Sequence, residues 1–143
     1  MLIDDKDKEL INLLQKNSRE STANLARALN LSRTTVSSRI ERLEKRGVIQ
    51  GYTVKFSPDY ELTQIQAHVM ISSDPKYSAS IVTKLKNIGE VKALHAVNGI
   101  YEMLALISAE STESLDAVLD EIGNTEGIKK TTSSIILSTK FNR

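Results

Sequence analysis

The chain has 143 residues, 40% hydrophobic and 26% charged, the balance of a soluble globular protein large enough for one ordinary domain or two very small ones. It contains no cysteine, which excludes a disulfide scaffold, a thiolate zinc site and a Cys nucleophile, and fits a reducing cytoplasm. Net charge is only +1, yet residues 1–50 carry 10 Lys and Arg against 7 Asp and Glu, whereas residues 51–143 carry 9 against 11.

Residues 1–12 are acidic and interrupted by charge, so they do not read as a secretion signal, and no apolar run approaches the ~18 residues of a membrane span. A first helix is predicted over 5–17. Asp4 is its candidate N-cap, with Asp7 three residues later, so carboxylates surround the positive end of the helix dipole. Leu10, Ile11, Leu13 and Leu14 supply its apolar face. A second helix is predicted over 22–29, with Ser21 or Thr22 as cap and Leu25, Ala26 and Leu29 facing inward. Asn30 tolerates the left-handed backbone that a sharp turn requires, and Leu31 plugs that turn.

A third helix is predicted over 33–46, capped by Ser32 and stopped by Gly47. Val36, Ile40 and Leu43 fall at i, i+4 and i+7 and define one buried stripe. Ile40 takes the core role that simple repressors often give to the position of Arg39. The opposite face carries Arg33, Thr34, Thr35, Ser37, Ser38, Arg39 and Arg42. Short side chains let a helix backbone approach a major groove, Arg can grip guanine with two hydrogen bonds, and hydroxyls bind phosphates or base edges. Arg42 reads as a phosphate contact, and Thr35, Ser38 and Arg39 as neighbours of base edges. Thr22 and Ser32, at the starts of the two helices, complete the DNA-contacting set. Residues 48–56 read as β structure turned at Gly51, giving the order of a winged helix-turn-helix. The bland alternatives are a mixed-charge solvated helix and a three-helix interaction domain.

Ser57-Pro58 begins a linker. Residues 64–72 form a predicted strand, with Ile65, Ala67, Val69 and Ile71 on one face. A helix over 78–88 follows, then strands over 91–97 and 101–108. Asn98-Gly99 between those strands is the signal of a type I′ hairpin. A second helix over 111–124 and a last strand over 128–139 complete a β-α-β-β-α-β order. This ferredoxin-like arrangement buries one face of a four-stranded antiparallel sheet under two helices and leaves the other face open. Met103 to Ile107 is apolar on both faces, which points to a second sheet covering the first and hence to a dimer. The fold class is therefore α+β: a winged helix-turn-helix over 1–50, a wing strand and linker over 51–61, and a ferredoxin-like domain over 62–143.

With both halves laid out, the chain resembles the Lrp/AsnC (feast/famine) family of transcription regulators from end to end. The resemblance rests on Asp4-x-x-Asp7, Leu13-Leu14-Gln15, Leu31-Ser32, Arg42-Leu43-Glu44, Gly47-Val48-Ile49 and Gly51-Tyr52. In the second half it rests on Val97-Asn98-Gly99-Ile100-Tyr101-Glu102 and Ser134-Ile135-Ile136-Leu137. The family usually has Asp at the place of Glu102, and many members have Ser-Pro at Ser32-Arg33. The resemblance implies a homodimer, often built into an octamer through the C-terminal domains, with a small effector such as an amino acid bound between dimers near residues 98–102. Asn98, Gly99, Tyr101 and Glu102 are then the candidate effector loop, with Thr131 and Ser133 as polar neighbours. Glu102 would meet the ammonium and backbone N–H groups near Gly99 the carboxylate. The simpler alternative is that Asn98-Gly99 only turns the chain and Tyr101 only packs at an interface.

His68 and His95 read as packed or interface histidines rather than ligands. No general base stands beside the many hydroxyls in a recognisable motif, and no glycine loop cradles a phosphate, so neither an enzyme nor a cofactor is expected. The expected partners are double-stranded DNA, further copies of the chain and a small effector, with no membrane. The competing readings are an effector-independent architectural DNA-binding protein and, further behind, a metabolic enzyme or metabolite-binding module on a ferredoxin-like frame.

Overall fold

The computed structural model describes residues 3–61 and 63–143. The chain divides into two compact units, Met1–Lys55 and Phe56–Arg143.

The first unit holds three helices: α1 (Asp5–Lys16), α2 (Thr22–Leu29) and α3 (Arg33–Lys45). Each begins on a side chain that answers an orphan backbone N–H. Asp4 accepts from Asp7 N while Asp7 returns a carboxylate to Asp4 N, a reciprocal capping box; Ser21 accepts from Asn24 N and Ser32 from Thr35 N. Ser21 is thus the cap of α2, not Thr22. Between α2 and α3, Asn30 takes φ 55° and ψ 48°, and Leu31 N bonds back to Ala26 O at 2.9 Å. That closes the turn in three residues. Lys6 reaches Leu29 O at 3.1 Å and places a cation on the negative end of α2. Leu10, Leu14, Leu25, Ala26, Leu29, Val36 and Leu43 form the core, with Ile40, Val48 and Ile49 packed on its edge.

The expected wing strands over 48–56 do not form. Residues 47–49 turn back over the core through bonds from Val48 N and Ile49 N to Leu43 O, and residues 50–57 take no regular secondary structure, although the Tyr52 hydroxyl donates to Glu44 at 3.5 Å. A strand is defined by a partner strand, and among the described residues none is paired with this segment. The period-two pattern survives, leaving Tyr52, Val54 and Phe56 exposed.

The second unit begins with a one-turn helix, α4 (Pro58–Glu61), followed by β1 (Ile65–Ser73), a 3-10 turn (Pro75–Tyr77), α5 (Ser78–Lys86), β2 (Val91–Ala96), β3 (Met103–Ala109), α6 (Thr112–Gly123) and β4 (Ile128–Ile135). The sheet is antiparallel in the order β2-β3-β1-β4, with the first strand inside, as a split β-α-β arrangement requires. Ala67, Val69 and Ile71 on β1 oppose Ile107, Ala105 and Met103 on β3, and this row packs on Ile81 and Leu85 of α5 and Leu115, Val118 and Ile122 of α6. The other face carries Gln66, His68, Met70 and Ser72 of β1 with Leu104, Leu106 and Ser108 of β3, because directly opposed residues share a face. His95 of β2 joins that face opposite Leu104. Neither helix lies on it, so Met70, Leu104 and Leu106 stay half-exposed.

The β2–β3 connection is longer than the expected two-residue hairpin. Val97 N donates to Glu102 O at 3.0 Å, leaving 98–101 as the loop, and neither Asn98 nor Gly99 takes the positive φ that a type I′ turn demands.

Candidate DNA interface and effector loop

At 100° per residue, α3 turns Val36 and Leu43 into the core and presents Thr34, Ser38, Glu41 and Lys45 along the opposite line. Arg33 and Ser37 flank that stripe on one side and Thr35 on the other, all exposed. Ser32 and Thr35 share their hydroxyls at 2.7 Å while Ser32 caps the helix, so both are partly committed before any duplex arrives. Thr22, half-exposed at the start of α2, spends no hydroxyl on its cap. Glu41 and Lys45 were not among the expected contacts. The wheel alone places both at the centre of the exposed stripe.

Arg39, expected near base edges, is turned toward the start of α1. Its guanidinium lies 2.7 Å from Asp4 and 2.9 Å from Asp7, and its side chain is only 20% exposed. Arg42 shares Asp7 at 2.9 Å but keeps 42% of its side chain exposed. Two guanidiniums thus meet two carboxylates at the start of α1, those of its N-cap Asp4 and of Asp7, and Asp7 is 1% exposed at their centre. The hydrogen bond from Arg39 is the main reason that the Asp4 carboxyl sits below its ordinary value of 3.8. The Nε–H groups of both arginines are buried without an acceptor, while one terminal nitrogen of Arg39 bonds the Asp4 and Asp7 carboxylates and one of Arg42 bonds that of Asp7. The cluster locks α3 to α1 and sets the angle at which the hydroxyl-rich stripe is shown.

In the second unit, residues 97–102 form a loop at one end of the sheet. Asn98, Gly99 and Ile100 are exposed, Ile100 by 88%. Glu102 is held at both ends: its N–H donates to Ile71 O at 3.0 Å, and its Oε2 accepts from Ser73 N at 2.9 Å. Only its second oxygen is left for a ligand. The Tyr101 and Thr132 hydroxyls lie 2.8 Å apart, which draws Tyr101 toward the open face. Thr131 and Ser133 do not join them. They oppose Ile71 and Val69 and so belong to the helix-covered face, whereas Thr132 opposes Met70 on the open one. A shift of one residue along β4 separates the expected neighbours from the observed one.

Among the described residues no helix is long and apolar enough to cross a membrane, and no group of three metal-ligating side chains comes together.

The comparisons with known proteins agree with this geometry. Residues 3–50 match the family described as winged helix-turn-helix DNA-binding, and residues 66–143 match the Lrp/AsnC ligand binding domain. The HTH-type transcriptional regulator LrpA of Pyrococcus abyssi is 31% identical over 95% of this chain and 97% of its own. The structure of E. coli AsnC aligns with a TM-score of 0.87 at 26% identity, covering 100% of this chain and 97% of that one. The feast or famine regulatory protein of M. tuberculosis, solved in complex with L-methionine, aligns at 0.86 with 32% identity, over 99% and 96%. A three-helix reader followed by a split β-α-β sheet, matched end to end by these relatives, makes the chain a DNA-binding transcription regulator of the Lrp/AsnC family.

Proposed function

We propose that α3 reads a major groove through Thr34, Thr35, Ser37 and Ser38, with Arg33 and Arg42 on phosphates, and that an amino acid held at the 97–102 loop changes how DNA is bound. The exposed stripe of α3 supports the first half: it is short-chained, hydroxylated and basic at its start, and it is held at a fixed angle by the Asp4–Asp7–Arg39–Arg42 cluster. Arg39 serves that cluster and is withdrawn from the base-reading set. Thr22 and Ser32 remain at the edge as backbone contacts.

The half-committed carboxylate of Glu102 carries the second half. Its free oxygen suits an ammonium, the exposed amides near Gly99 suit a carboxylate, and Ile100 offers apolar surface to a side chain. One copy of the loop has no opposite wall, so the site is completed between copies. The open sheet face, with Met70, Leu104 and Leu106, supplies the first contact by packing on a second copy. Dimers then build a larger assembly, such as an octamer, acting on double-stranded DNA in the cytoplasm. The L-methionine complex of the M. tuberculosis relative supports an apolar amino acid as ligand. Calorimetry of the whole protein with a panel of amino acids tests this reading: saturable heat for one or more apolar members is expected, and no heat for any member overturns it.

A further inference from the structure

The centre of the exposed stripe of α3 holds a carboxylate where phosphate attraction would call for a base. Glu41 stands at i+7 from Thr34 and i+3 from Ser38, on the line opposite Val36 and Leu43. It lines a shallow depression with Ser38, Arg42, Lys45 and Arg46. The bland account is a helix-surface ion pair, since Lys45 is four residues on in the favourable direction. That pair does not form, and among the described residues Glu41 has no hydrogen-bond or salt-bridge partner. The two arginines nearest in sequence are not paired with it: Arg39 bonds Asp4 and Asp7, and Arg42 bonds Asp7.

We propose that Glu41 is a specificity-determining residue that reads cytosine in the major groove. An ionised carboxylate only accepts hydrogen bonds, and the major groove offers it two donors, the amines of cytosine N4 and adenine N6. Adenine sets the N7 lone pair beside its amine, which repels a carboxylate, whereas cytosine sets a ring C–H there. Guanine and thymine present oxygen acceptors and are rejected. The same charge repels phosphate at every non-cognate position, so Glu41 trades general affinity for discrimination. Thr34 and Glu41 are seven residues apart, about 10 Å along the helix at 1.5 Å per residue, or about three base pairs.

The inference rests on α3 being the reading helix, and selection from randomised duplexes by the full-length wild type, Glu41→Ala and Glu41→Gln tests the two separately. The wild type is expected to select cytosine at one position of each half-site. Glu41→Ala should lose that preference by about fivefold to 100-fold at that position alone, while binding random DNA more tightly. Glu41→Gln should move the preference to adenine, whose N6 and N7 match an amide. Thr34→Ala should alter a position about three base pairs away. The unchanged remainder of the motif reports that each variant is folded. One motif shared by all three proteins overturns the role of Glu41, as does a natively folded Glu41→Ala that selects nothing. A wild type that selects no sequence overturns the reading of α3 itself.

Discussion

Asp7 holds three roles at once: it completes the capping box of α1, pairs with Arg39 and pairs with Arg42, all while buried. Removing one member of such a cluster leaves the opposite charges buried and uncompensated. Asp7→Asn is therefore expected to cost about 3–5 kcal/mol, read from the urea midpoint, with sequence preference retained wherever the variant is folded. Arg39→Ala belongs to the same class and should lower stability rather than change the selected DNA sequence. The acid limit follows from Asp4. Its carboxyl is held below 3.8 by Arg39, so this tie contributes fully above that value and is lost as pH falls through the lower, folded value. Helical circular dichroism of wild type and Asp4→Asn across acid pH checks this, since the variant should lack the part of the transition owed to Asp4. Gly127 is a different constraint: it has φ +93°, its carbonyl accepts from Asp74 N, and a Cβ would overlap the Tyr77 side chain. Gly127→Ala should destabilise the second unit by about 2 kcal/mol or more.

Among the elements, α3 and the open face of the sheet are the surfaces on which the proposed DNA contact and self-association rest. Arg33 is exposed in the first turn of α3, and as a proposed phosphate contact its substitution Arg33→Ala should reduce the slope of log affinity against log salt by about 1, with little change in the preferred sequence. The open face sets Leu104 between His95 and Met70 in one row across the sheet. A half-exposed leucine there can take a charge without disturbing the helix-covered core, so Leu104→Lys should leave the unit folded and shift light scattering toward the monomer. An unchanged mass would place the self-association surface elsewhere. Helix positions were legible from caps and periodicity, because Asp4, Ser21, Ser32 and Ser111 act within three residues of themselves. The hairpin was not. Asn98-Gly99 has the local chemistry of a tight turn, but the Val97–Glu102 bond and the tether from Ser73 hold the chain in a wider loop.

Across the whole molecule, regulation requires that the two units report to one another, and thermodynamic linkage makes that report reciprocal. If an amino acid changes DNA affinity by some factor, cognate DNA must change affinity for that amino acid by the same factor. Calorimetry with free and DNA-bound protein measures both legs, and equal affinities in the two titrations would deny the coupling. Alternation, cap residues and apolar stripes were enough, by themselves, to place the helices and the β-α-β-β-α-β order along the chain, because these signals act over a few neighbouring residues; the family resemblance came from longer motifs such as Val97-Asn98-Gly99-Ile100-Tyr101-Glu102. The partners of Arg39, the bond from Ser73 to Glu102 and the choice of Thr132 over Thr131 were settled only by tertiary structure. Each joins positions about 30 residues apart, and each depends on a helix packing angle or a strand register that no local pattern encodes.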